Sequence, residues 1–403
     1  MEREAVLIVA ASEQDANLYY VTQFWAPDPF IFVQINGRRI LVMSDLEVDR
    51  AKGESKVDDV LSFSKLQAEV KKRKSADSGM TPPPVFPAKG GSDQRSDRPE
   101  GPESGGGVIS VVDHLFKRHK VTKVRVPSTF PVTLADSLRA KKYTLEVVED
   151  PFFPERMIKK EEEVAAIRET QRFTEAAVQS AIDLIQSAEI KNGDLWLKGQ
   201  PLTSELIRKV LHLTLMGSDC LAKETIVAGG TQACDPHCIG SGPLKANQPI
   251  VLDVFPVSLR TRYFADMTRT VVKGRASPKV KKMYKAVQEG QEIAFRKLKA
   301  GVNGLDIHRS ILTYFEKEGF KTGLMKGRMQ GFFHGTGHGV GLEIHEPPRV
   351  SSTPDILQEG NVVTVEPGLY YLDAGGIRLE DMVLITKTGC QNLTTFPKLL
   401  ELD

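Results

Sequence analysis

The side chains best suited to chemistry are, first, acidic residues placed inside apolar runs. Asp253 lies in Pro-Ile-Val-Leu-Asp-Val at 249–254, and Asp266 lies in Tyr-Phe-Ala-Asp-Met-Thr-Arg-Thr-Val-Val at 263–272. Both runs are typical of buried strands. A carboxylate in such a strand is costly unless it is paired or bound to a cation. Each aspartate is therefore either a structural group, held by the backbone or by Arg269, or a metal ligand.

A second group consists of histidines separated by glycines. Residues 331–347 read Gly-Phe-Phe-His-Gly-Thr-Gly-His-Gly-Val-Gly-Leu-Glu-Ile-His-Glu-Pro, which places His334, His338 and His345 within twelve positions. Glycine lets a backbone or a substrate approach closely, and imidazole is both a common metal ligand and a proton shuttle. One such histidine is more often structural, but three among glycines indicate a functional site.

Two further carboxylates lie in apolar runs nearer the C-terminus. Val-Val-Thr-Val-Glu-Pro-Gly at 362–368 predicts a strand ending in Glu366, and Gly-Gly-Ile-Arg-Leu-Glu-Asp-Met-Val at 375–383 predicts a strand carrying Glu380. Alternation along the second strand puts Arg378 and Glu380 on one face. Taken alone, this pattern also fits a structural ion pair between Arg378 and a carboxylate.

Considered together, these residues form a set of metal-binding type. Four buried carboxylates would repel one another or stay protonated, whereas two divalent cations neutralise them. Oxygen-rich ligation with one imidazole suits manganese, iron, cobalt or zinc, and paired metal ions are a common device for activating water in hydrolysis. The proposed ligands are Asp253, Asp266, His338, Glu366 and Glu380.

The elements that precede these residues predict a separate N-terminal α/β domain over residues 1–155. Asn36-Gly37 between two apolar runs is a strong signal for a tight hairpin. A low-complexity stretch at about 75–107, rich in Pro, Gly and Ser, is predicted to be an insertion without a packed core. The patterns predict strands at 5–11, 30–35, 39–43, 123–126 and 143–148, and helices at 57–72, 108–119 and about 134–141.

The second domain is predicted to span residues 156–403. The prolines between 151 and 154 mark the boundary, and apolar residues at helical spacing predict a long helix from about 159 to 188. Ser277-Pro278 has the cap and first-turn residues of a further helix. The remainder is rich in strand patterns and glycine, so the predicted fold class is α+β.

Composition excludes several other classes of protein. The 403 residues are 40% hydrophobic and 26% charged, with 54 basic and 52 acidic residues and a net charge of +2, so nothing indicates a nucleic-acid or membrane partner. Four cysteines do not suggest a disulfide framework. The first residues do not have the basic start and cleavage site of a signal peptide. These features predict a cytoplasmic protein.

The order Asp, Asp, His, Glu, Glu resembles that of the pita-bread metallopeptidases, which include methionine aminopeptidase, Xaa-Pro aminopeptidase and prolidase. The matching stretches are Asp-Met-Thr-Arg-Thr, His-Gly-Thr-Gly-His-Gly-Val-Gly-Leu, Thr-Val-Glu-Pro-Gly and Gly-Ile-Arg-Leu-Glu-Asp. Residues 1–155 resemble the smaller creatinase-like N-terminal domain of the proline-directed members. The resemblance implies a pita-bread catalytic domain preceded by that α/β domain.

The resemblance also implies a role for each site residue. Asp253 would bind one metal ion, His338 and Glu366 the other, with Asp266 and Glu380 bridging the two. A metal-bridging hydroxide would attack the peptide carbonyl, and Glu366 would accept the proton of the attacking water. The other implied catalytic residues are His237, His334 and His345, which would contact substrate or stabilise the intermediate, and Arg378, which matches a site arginine of the proline-directed members.

One spacing departs from the pattern of the family. The two aspartate ligands are usually eleven positions apart, whereas Asp253 and Asp266 are thirteen apart. The excess falls at 255–262, a polar stretch with one proline that is compatible with a longer turn between two strands. The strand patterns on either side are intact, so both assignments are kept.

The implied activity is that of a homodimeric Xaa-Pro aminopeptidase, with two divalent ions, manganese preferred and cobalt, zinc or iron as alternatives. Its substrate would be a peptide with proline in second position. Prolidase, which cleaves only the dipeptide, is the alternative enzyme, and a non-catalytic peptide-binding protein on the same fold is a further one. Methionine aminopeptidase is disfavoured because it does not need the N-terminal domain, and a metal-free hydrolase because all five ligand positions carry ligand-competent side chains.

Overall fold

The structure is a computed structural model that describes residues 3–77 and 105–403. The chain divides into two compact units, Met1–Pro154 and Glu155–Asp403. Each unit has its own sheets and its own buried apolar clusters, and each is described separately below. Within the described residues, no helix combines the length and the apolar content that crossing a bilayer requires.

The first unit is built on one six-stranded sheet. Its strands are β1 (Arg3–Ala10), β2 (Phe30–Ile35), β3 (Arg38–Met43), β4 (Asp59–Ser62), β5 (Val121–Pro127) and β6 (Thr144–Val148). They lie in the order β4-β3-β2-β1-β5-β6. The pairs β1-β2 and β2-β3 are antiparallel, and the pairs β3-β4, β1-β5 and β5-β6 are parallel. The helices are α1 (Ala16–Thr22), α2 (Val48–Glu54), α3 (Phe63–Asp77), α4 (Gly105–His119) and α5 (Val132–Ala140).

Both faces of this sheet are buried. Leu7 of β1 belongs to one apolar cluster and Ile8 to another, because successive side chains of a strand point to opposite faces. The predicted hairpin at Asn36-Gly37 is confirmed. Both residues have positive φ, 52° and 79°, as a tight two-residue turn between twisted strands requires.

The predicted helix at 57–72 is wrong in its first part. Residues 59–62 form β4, which pairs in parallel with β3, and the helix begins only at Phe63. The apolar residues that fit a helical period there instead complete the edge of the sheet. The predicted insertion at about 75–107 falls between α3 and α4, since α3 extends to Asp77 and α4 starts at Gly105. Residues 78–104 lie outside the described part of the chain.

The second unit contains four long helices and a set of short strands. The helices are α6 (Glu161–Gln186), α7 (Ser204–Met216), α8 (Pro278–Lys297) and α9 (Gly304–Lys317). The strands are β7 (Glu189–Lys191), β8 (Asp194–Leu197), β9 (Gln200–Pro201), β10 (Cys220–Leu221), β11 (Ile226–Gly229), β12 (Ile250–Val254), β13 (Val257–Ser258), β14 (Met267–Lys273), β15 (Gly323–Met325), β16 (Arg328–Gln330), β17 (Gly337–Gly339), β18 (Glu346–Val350), β19 (Val362–Val365), β20 (Gly368–Tyr371), β21 (Gly375–Arg378), β22 (Asp381–Ile385), β23 (Cys390–Asn392) and β24 (Glu401–Leu402).

Two sheets and one hairpin of this unit position the site. The sheets have the orders β11-β12-β14-β24 and β18-β17-β19-β22-β23, and β20 pairs with β21. Apolar side chains of α6 and α7 pack with those of β11, β12 and β14, while α8 and α9 pack with β19, β21 and β22. The predicted start of α8 is confirmed, because Oγ of Ser277 accepts a hydrogen bond from the amide of Val280 and Pro278 is the first helical residue.

Most of the acidic site residues lie at strand ends. Asp253 is inside β12, but Asp266 immediately precedes β14 and Glu366 immediately follows β19. The single strand predicted at 375–383 is two strands, β21 and β22, and Glu380 lies at the junction between them. These three carboxylates therefore lie just outside the regular strands.

Candidate metal centre and active site

Three predicted ligands converge on one point of the second unit. One potential ligand atom each from Asp266, His338 and Glu380 lies within 4.8 Å of the other two. Nε2 of His338 is 3.7 Å from Oδ2 of Asp266 and 3.5 Å from Oε1 of Glu366. A fourth predicted ligand, Glu366, therefore borders the same space.

The fifth predicted ligand, Asp253, is paired with an arginine. Its Oδ2 accepts a hydrogen bond of 2.6 Å from Nη2 of Arg378, and both side chains are buried. The structural ion pair that the sequence offered as an alternative for Arg378 thus exists, with Asp253 as its partner. Asp253 nevertheless lies beside the other ligands, since it pairs across the sheet with Thr268. Its charge also raises the pKa of Asp266, Glu366 and Glu380.

The buried carboxylates of the centre destabilise the folded state when all of them are ionised and no positive charge neutralises them. Burial raises the pKa of Asp266 and of Glu380 well above their ordinary values, and the neighbouring carboxylates raise both further. Burial also raises the pKa of Glu366 to about 8, although the Arg378 charge opposes this shift. Neutralisation by protons or by cations is therefore required at this point of the fold.

The donor set fits divalent metal ions. Oδ1 of Asp266 is buried and has no hydrogen-bond partner among the described residues, so this oxygen is free to accept a cation. Nδ1 of His338 lies 3.1 Å from the carbonyl of Gly339 and can only donate there. The tautomer is thereby fixed with Nε2 free to act as a ligand, an arrangement usual in histidine metal sites. Burial lowers the pKa of His338 to about 3, so the ring is neutral.

Two threonines of β14 hold the segment that carries Arg378 and Glu380 in place. Oγ1 of Thr268 donates to Oε2 of Glu380 at 2.8 Å, and the amide of Glu380 donates to the carbonyl of Thr268. Oγ1 of Thr270 donates to the carbonyl of Arg378 and accepts from the amide of the same residue. These bonds join β14 to the segment that carries Arg378 and Glu380.

A buried arginine supports the same junction from the other side. Arg269 is 1% exposed and donates to the carbonyl of Glu380 and to Oδ1 of Asp381. The sequence suggested Arg269 as a possible partner of Asp253 or Asp266, and this was wrong. Because side chains alternate along β14, Arg269 points away from the face that carries Thr268.

His334 is linked to the centre through a tyrosine. Nδ1 of His334 donates to the carbonyl of Gly335, so Nε2 accepts from the hydroxyl of Tyr370 at 2.8 Å. The same hydroxyl accepts from Nη1 of Arg378 at 2.9 Å. A continuous hydrogen-bonded chain thus runs from Asp253 through Arg378 and Tyr370 to His334. Burial lowers the pKa of His334 to about 3 and keeps the ring neutral.

The remaining predicted histidines surround the same space. The ring of His345 meets that of His338 edge to face, with centroids 4.3 Å apart. His237 is exposed and its charge lowers the pKa of both His334 and His345, so it lies near them. The structure therefore brings all nine predicted site residues into one region of the second unit.

Tyr370 provides a direct test of this chain of hydrogen bonds. The Tyr370→Phe variant is expected to lower kcat/KM at least about tenfold, because a hydrogen bond to a charged group contributes about 1.5–3 kcal/mol. The matched control is Tyr371→Phe, whose hydroxyl donates to the carbonyl of Lys321 outside the site. Equal kcat/KM values for the Tyr370 variant and the wild type would show that the chain has no part in turnover.

Several residues near the centre were assigned no role from the sequence. Tyr370 lies in a strand pattern that is equally typical of a structural position, and Thr268 lies in the matched stretch Asp-Met-Thr-Arg-Thr without having been singled out. Arg349 is exposed on β18, and its charge lowers the pKa of His338, His345 and Glu366. It directly follows Pro347-Pro348 and was not singled out from the sequence. A sequence pattern can indicate a strand face, but it does not indicate which distant segment that face meets.

Comparison with known proteins identifies the family of this chain. A model of metallopeptidase family M24 matches residues 165–387. The chain is 32% identical to a Xaa-Pro dipeptidase of Pyrococcus horikoshii over 293 residues, which is 70% of this chain and 76% of the relative. It is 30% identical to a Xaa-Pro dipeptidase of Pyrococcus furiosus over 288 residues, with the same shares of 70% and 76%.

Solved structures with the same fold cover nearly the whole chain. An X-Pro aminopeptidase from Thermotoga maritima has a TM-score of 0.74 at 24% identity and covers 99% of this chain and 97% of its own. A prolidase from Pyrococcus horikoshii has a TM-score of 0.73 at 25% identity, with shares of 99% and 95%. The predicted α+β class, with a pita-bread catalytic domain after an N-terminal domain, is confirmed. The chain belongs to metallopeptidase family M24 and is a peptide-bond hydrolase.

Proposed function

We propose that this chain hydrolyses the bond between an N-terminal residue and a proline in second position, with two divalent ions as cofactors. The observation that carries the proposal is the convergence of Asp266, His338 and Glu380 within 4.8 Å, bordered by Glu366. The names of the relatives, Xaa-Pro dipeptidase and X-Pro aminopeptidase, support the choice of substrate.

The five predicted ligands would hold the two ions. Asp253 would contribute to one ion, His338 and Glu366 to the other, and Asp266 and Glu380 to both. When bound, the ions supply Lewis-acid activation of water and of the substrate carbonyl. Because Oδ2 of Asp253 already accepts from Arg378, Asp253 would offer its other oxygen to a cation.

The other side chains bind the peptide and move protons. The Glu366 carboxylate accepts the proton of the attacking water and passes it towards the departing proline nitrogen. His345 is neutral, since burial lowers its pKa, and can donate its ring N–H to the substrate carbonyl oxygen as negative charge develops there. His237 and His334 flank the same position and restrict how the scissile bond lies.

The length of the substrate distinguishes two candidate enzymes. The sequence favoured an aminopeptidase acting on longer peptides, whereas the relatives from Pyrococcus horikoshii and Pyrococcus furiosus, 32% and 30% identical to this chain, are named Xaa-Pro dipeptidases. Arg349 supports the dipeptidase as the second candidate. It is an exposed cation whose charge reaches His338 and His345, which suits the C-terminal carboxylate of a two-residue substrate.

The test of the function is an assay of the full chain, stripped of metal with a chelator and reloaded with Mn(II). The substrates are Gly-Pro and a matched Xaa-Pro-Xaa tripeptide. Metal-dependent release of the first residue from the tripeptide supports the aminopeptidase, and cleavage of Gly-Pro alone supports the dipeptidase. Inactivity on both with Mn, Co, Zn or Fe, despite two bound ions, would contradict the proposal and favour a peptide-binding role.

Arg349→Ala is expected to raise KM for Gly-Pro up to about fivefold, because an exposed ion pair contributes about 0.2–1 kcal/mol. KM for the tripeptide should change less, since its carboxylate lies one residue further from the scissile bond. Arg309→Ala, at another exposed position, on α9, is the control. An unchanged KM for Gly-Pro would remove Arg349 from the substrate site.

Manganese, a cytoplasmic location and a homodimer are part of the same proposal. All four cysteines lie in the described part of the chain and are free thiols, which suits a reducing compartment. Oxygen-rich ligation with one imidazole suits manganese. The homodimer is supported by the family resemblance alone, and sedimentation of the purified chain tests it.

A further inference from the structure

A buried network of charges lies beneath the loop that carries His345. Nη2 of Arg156 is 2.8 Å from Oε2 of Glu343 and 3.0 Å from Oε2 of Glu346, and Nζ of Lys159 contacts Oε1 of Glu346. The side chains of Arg156, Lys159 and Glu346 are 3%, 1% and 4% exposed. The catalytic roles assigned above do not use any of these residues.

The loop is folded around the Glu346 carboxylate. A Cβ atom placed on Gly341 would lie 2.5 Å from Oε1 of Glu346 and 2.8 Å from its Cδ. The loop itself is closed by the amide of Gly341, which donates to the carbonyl of Glu343 at 3.1 Å. Because two ion pairs hold the carboxylate, its position fixes how closely Gly341 approaches.

Glu346 is adjacent to the active site along the chain and across the sheet. It directly follows His345, and in the sheet it pairs with Gly339, the neighbour of the predicted ligand His338. Displacement of its side chain would therefore rotate His345 relative to His338, whose rings are now in contact.

The two cations come from the first residues of the catalytic unit, and these are anchored independently. The amide of Lys159 donates to the carbonyl of Gly360 at 2.8 Å, and Nδ2 of Asn361 donates to the carbonyl of Met157 at 2.9 Å. Gly360 and Asn361 immediately precede β19, the strand that ends at Glu366. The segment 156–159 thus connects the base of the Glu366 strand with the His345 loop.

We propose that Glu346, held by Arg156 and Lys159, is a positioning residue that sets the orientation of the His345 ring. This inference rests on the proposed function, in which His345 faces the substrate carbonyl. A shift of a reacting group by about 1 Å costs about 100-fold in rate. Loss of the network is therefore expected to act mainly on kcat, with little change in KM.

Two variants disturb the network by different physical means. Glu346→Gln removes the charge that the two cations share, and Gly341→Ala displaces the carboxylate without changing any charge. Both are expected to lower kcat about 100-fold. The matched controls are Glu169→Gln, at a half-exposed ion pair with Arg260, and Gly217→Ala, where an added methyl group meets atoms only at 3.4–3.5 Å.

A double variant separates positioning from stability. Lys159→Met combined with Glu346→Gln removes the buried pair together and leaves Arg156 paired with Glu343. We expect its free energy of unfolding to recover towards the wild-type value because no unpaired cation remains at Lys159, while kcat stays low. Recovery of kcat together with stability would overturn the proposal, since the network would then only support the fold.

An observation independent of turnover completes the test. The full chain is loaded with Zn(II), a diamagnetic ion, and its histidine ring signals are recorded by NMR, with His345→Asn used for assignment. Both network variants are expected to shift the His345 signals, and both controls to leave them unchanged. Unshifted His345 signals in both network variants would refute the positioning role. Inactivity of the wild type on Xaa-Pro peptides would refute the proposed function, and the NMR test of positioning would still be valid.

Discussion

Replacing Glu366 by alanine is expected to lower kcat by about 10³-fold, because the proposed general base is removed and such a group contributes about 10²–10⁴-fold. The fold should persist. The amide of Glu366 donates to the carbonyl of Thr336 at 2.7 Å, and this backbone bond does not depend on the side chain. The carboxylate is itself unfavourable in the metal-free protein, since burial raises its pKa to about 8.

The measurement is single-turnover hydrolysis of the preferred Xaa-Pro peptide, together with denaturant unfolding of the same samples. Glu359→Ala, an exposed glutamate seven positions earlier, is the control. Wild-type turnover by the Glu366 variant would rule out its role as base and as ligand. Turnover lost together with the cooperative unfolding transition would show that the side chain is structural, contrary to the prediction.

Removal of metal is expected to abolish activity and to destabilise the protein increasingly as the pH rises. The pKa values of Asp266 and Glu380 lie well above their ordinary values, and that of Glu366 is raised to about 8. Carboxyl groups titrate near pH 4 in unfolded chains. The metal-free folded state therefore binds more protons than the unfolded state between about pH 4 and pH 8, and its stability falls across that interval.

The metal-loaded protein should not show this loss, because bound cations replace the protons as the neutralising charge. An ion present at 100 times its dissociation constant stabilises the folded state by about 2.7 kcal/mol. Urea unfolding at pH 5 and pH 8, with Mn(II) and with chelator, measures both effects. The carboxylate cluster would not be the origin of the effect if the difference in free energy of unfolding between the metal-loaded and the metal-free protein became smaller as the pH rose.

The sequence singled out the acidic and histidine residues because each lies in a short run with a clear pattern, and the structure brings these side chains together. Asp266 and Glu380 were expected on buried strands, and both lie next to strands. The glycine-spaced histidines at 334–345 were expected to act together, and they surround one space. The hairpin at Asn36-Gly37 could also be predicted, because two adjacent residues that adopt positive φ are enough to specify it.

What escaped prediction depends on contacts between distant segments. The partner of Arg378 is Asp253, 125 positions away, and the partner of Arg269 is Asp381, 112 positions away. A periodic sequence pattern does not indicate which of several carboxylates a given arginine will pair with. The helix predicted at 57–72 failed for a related reason. Residues 59–62 complete the edge of a sheet whose neighbouring strand, β3, lies earlier in the chain.

The hydrogen bond between Thr268 and Glu380 also has a consequence for biosynthesis. It joins residues 112 positions apart, and Asp266 and Glu380 come together only when it and its neighbours form. Chains emerge from the ribosome N-terminus first, at about 5–20 residues per second. A nascent chain that ends before residue 380 therefore lacks one of the three side chains whose potential ligand atoms lie within 4.8 Å of one another. Under the proposed function, the catalytic centre is assembled only after residue 380 has been synthesised.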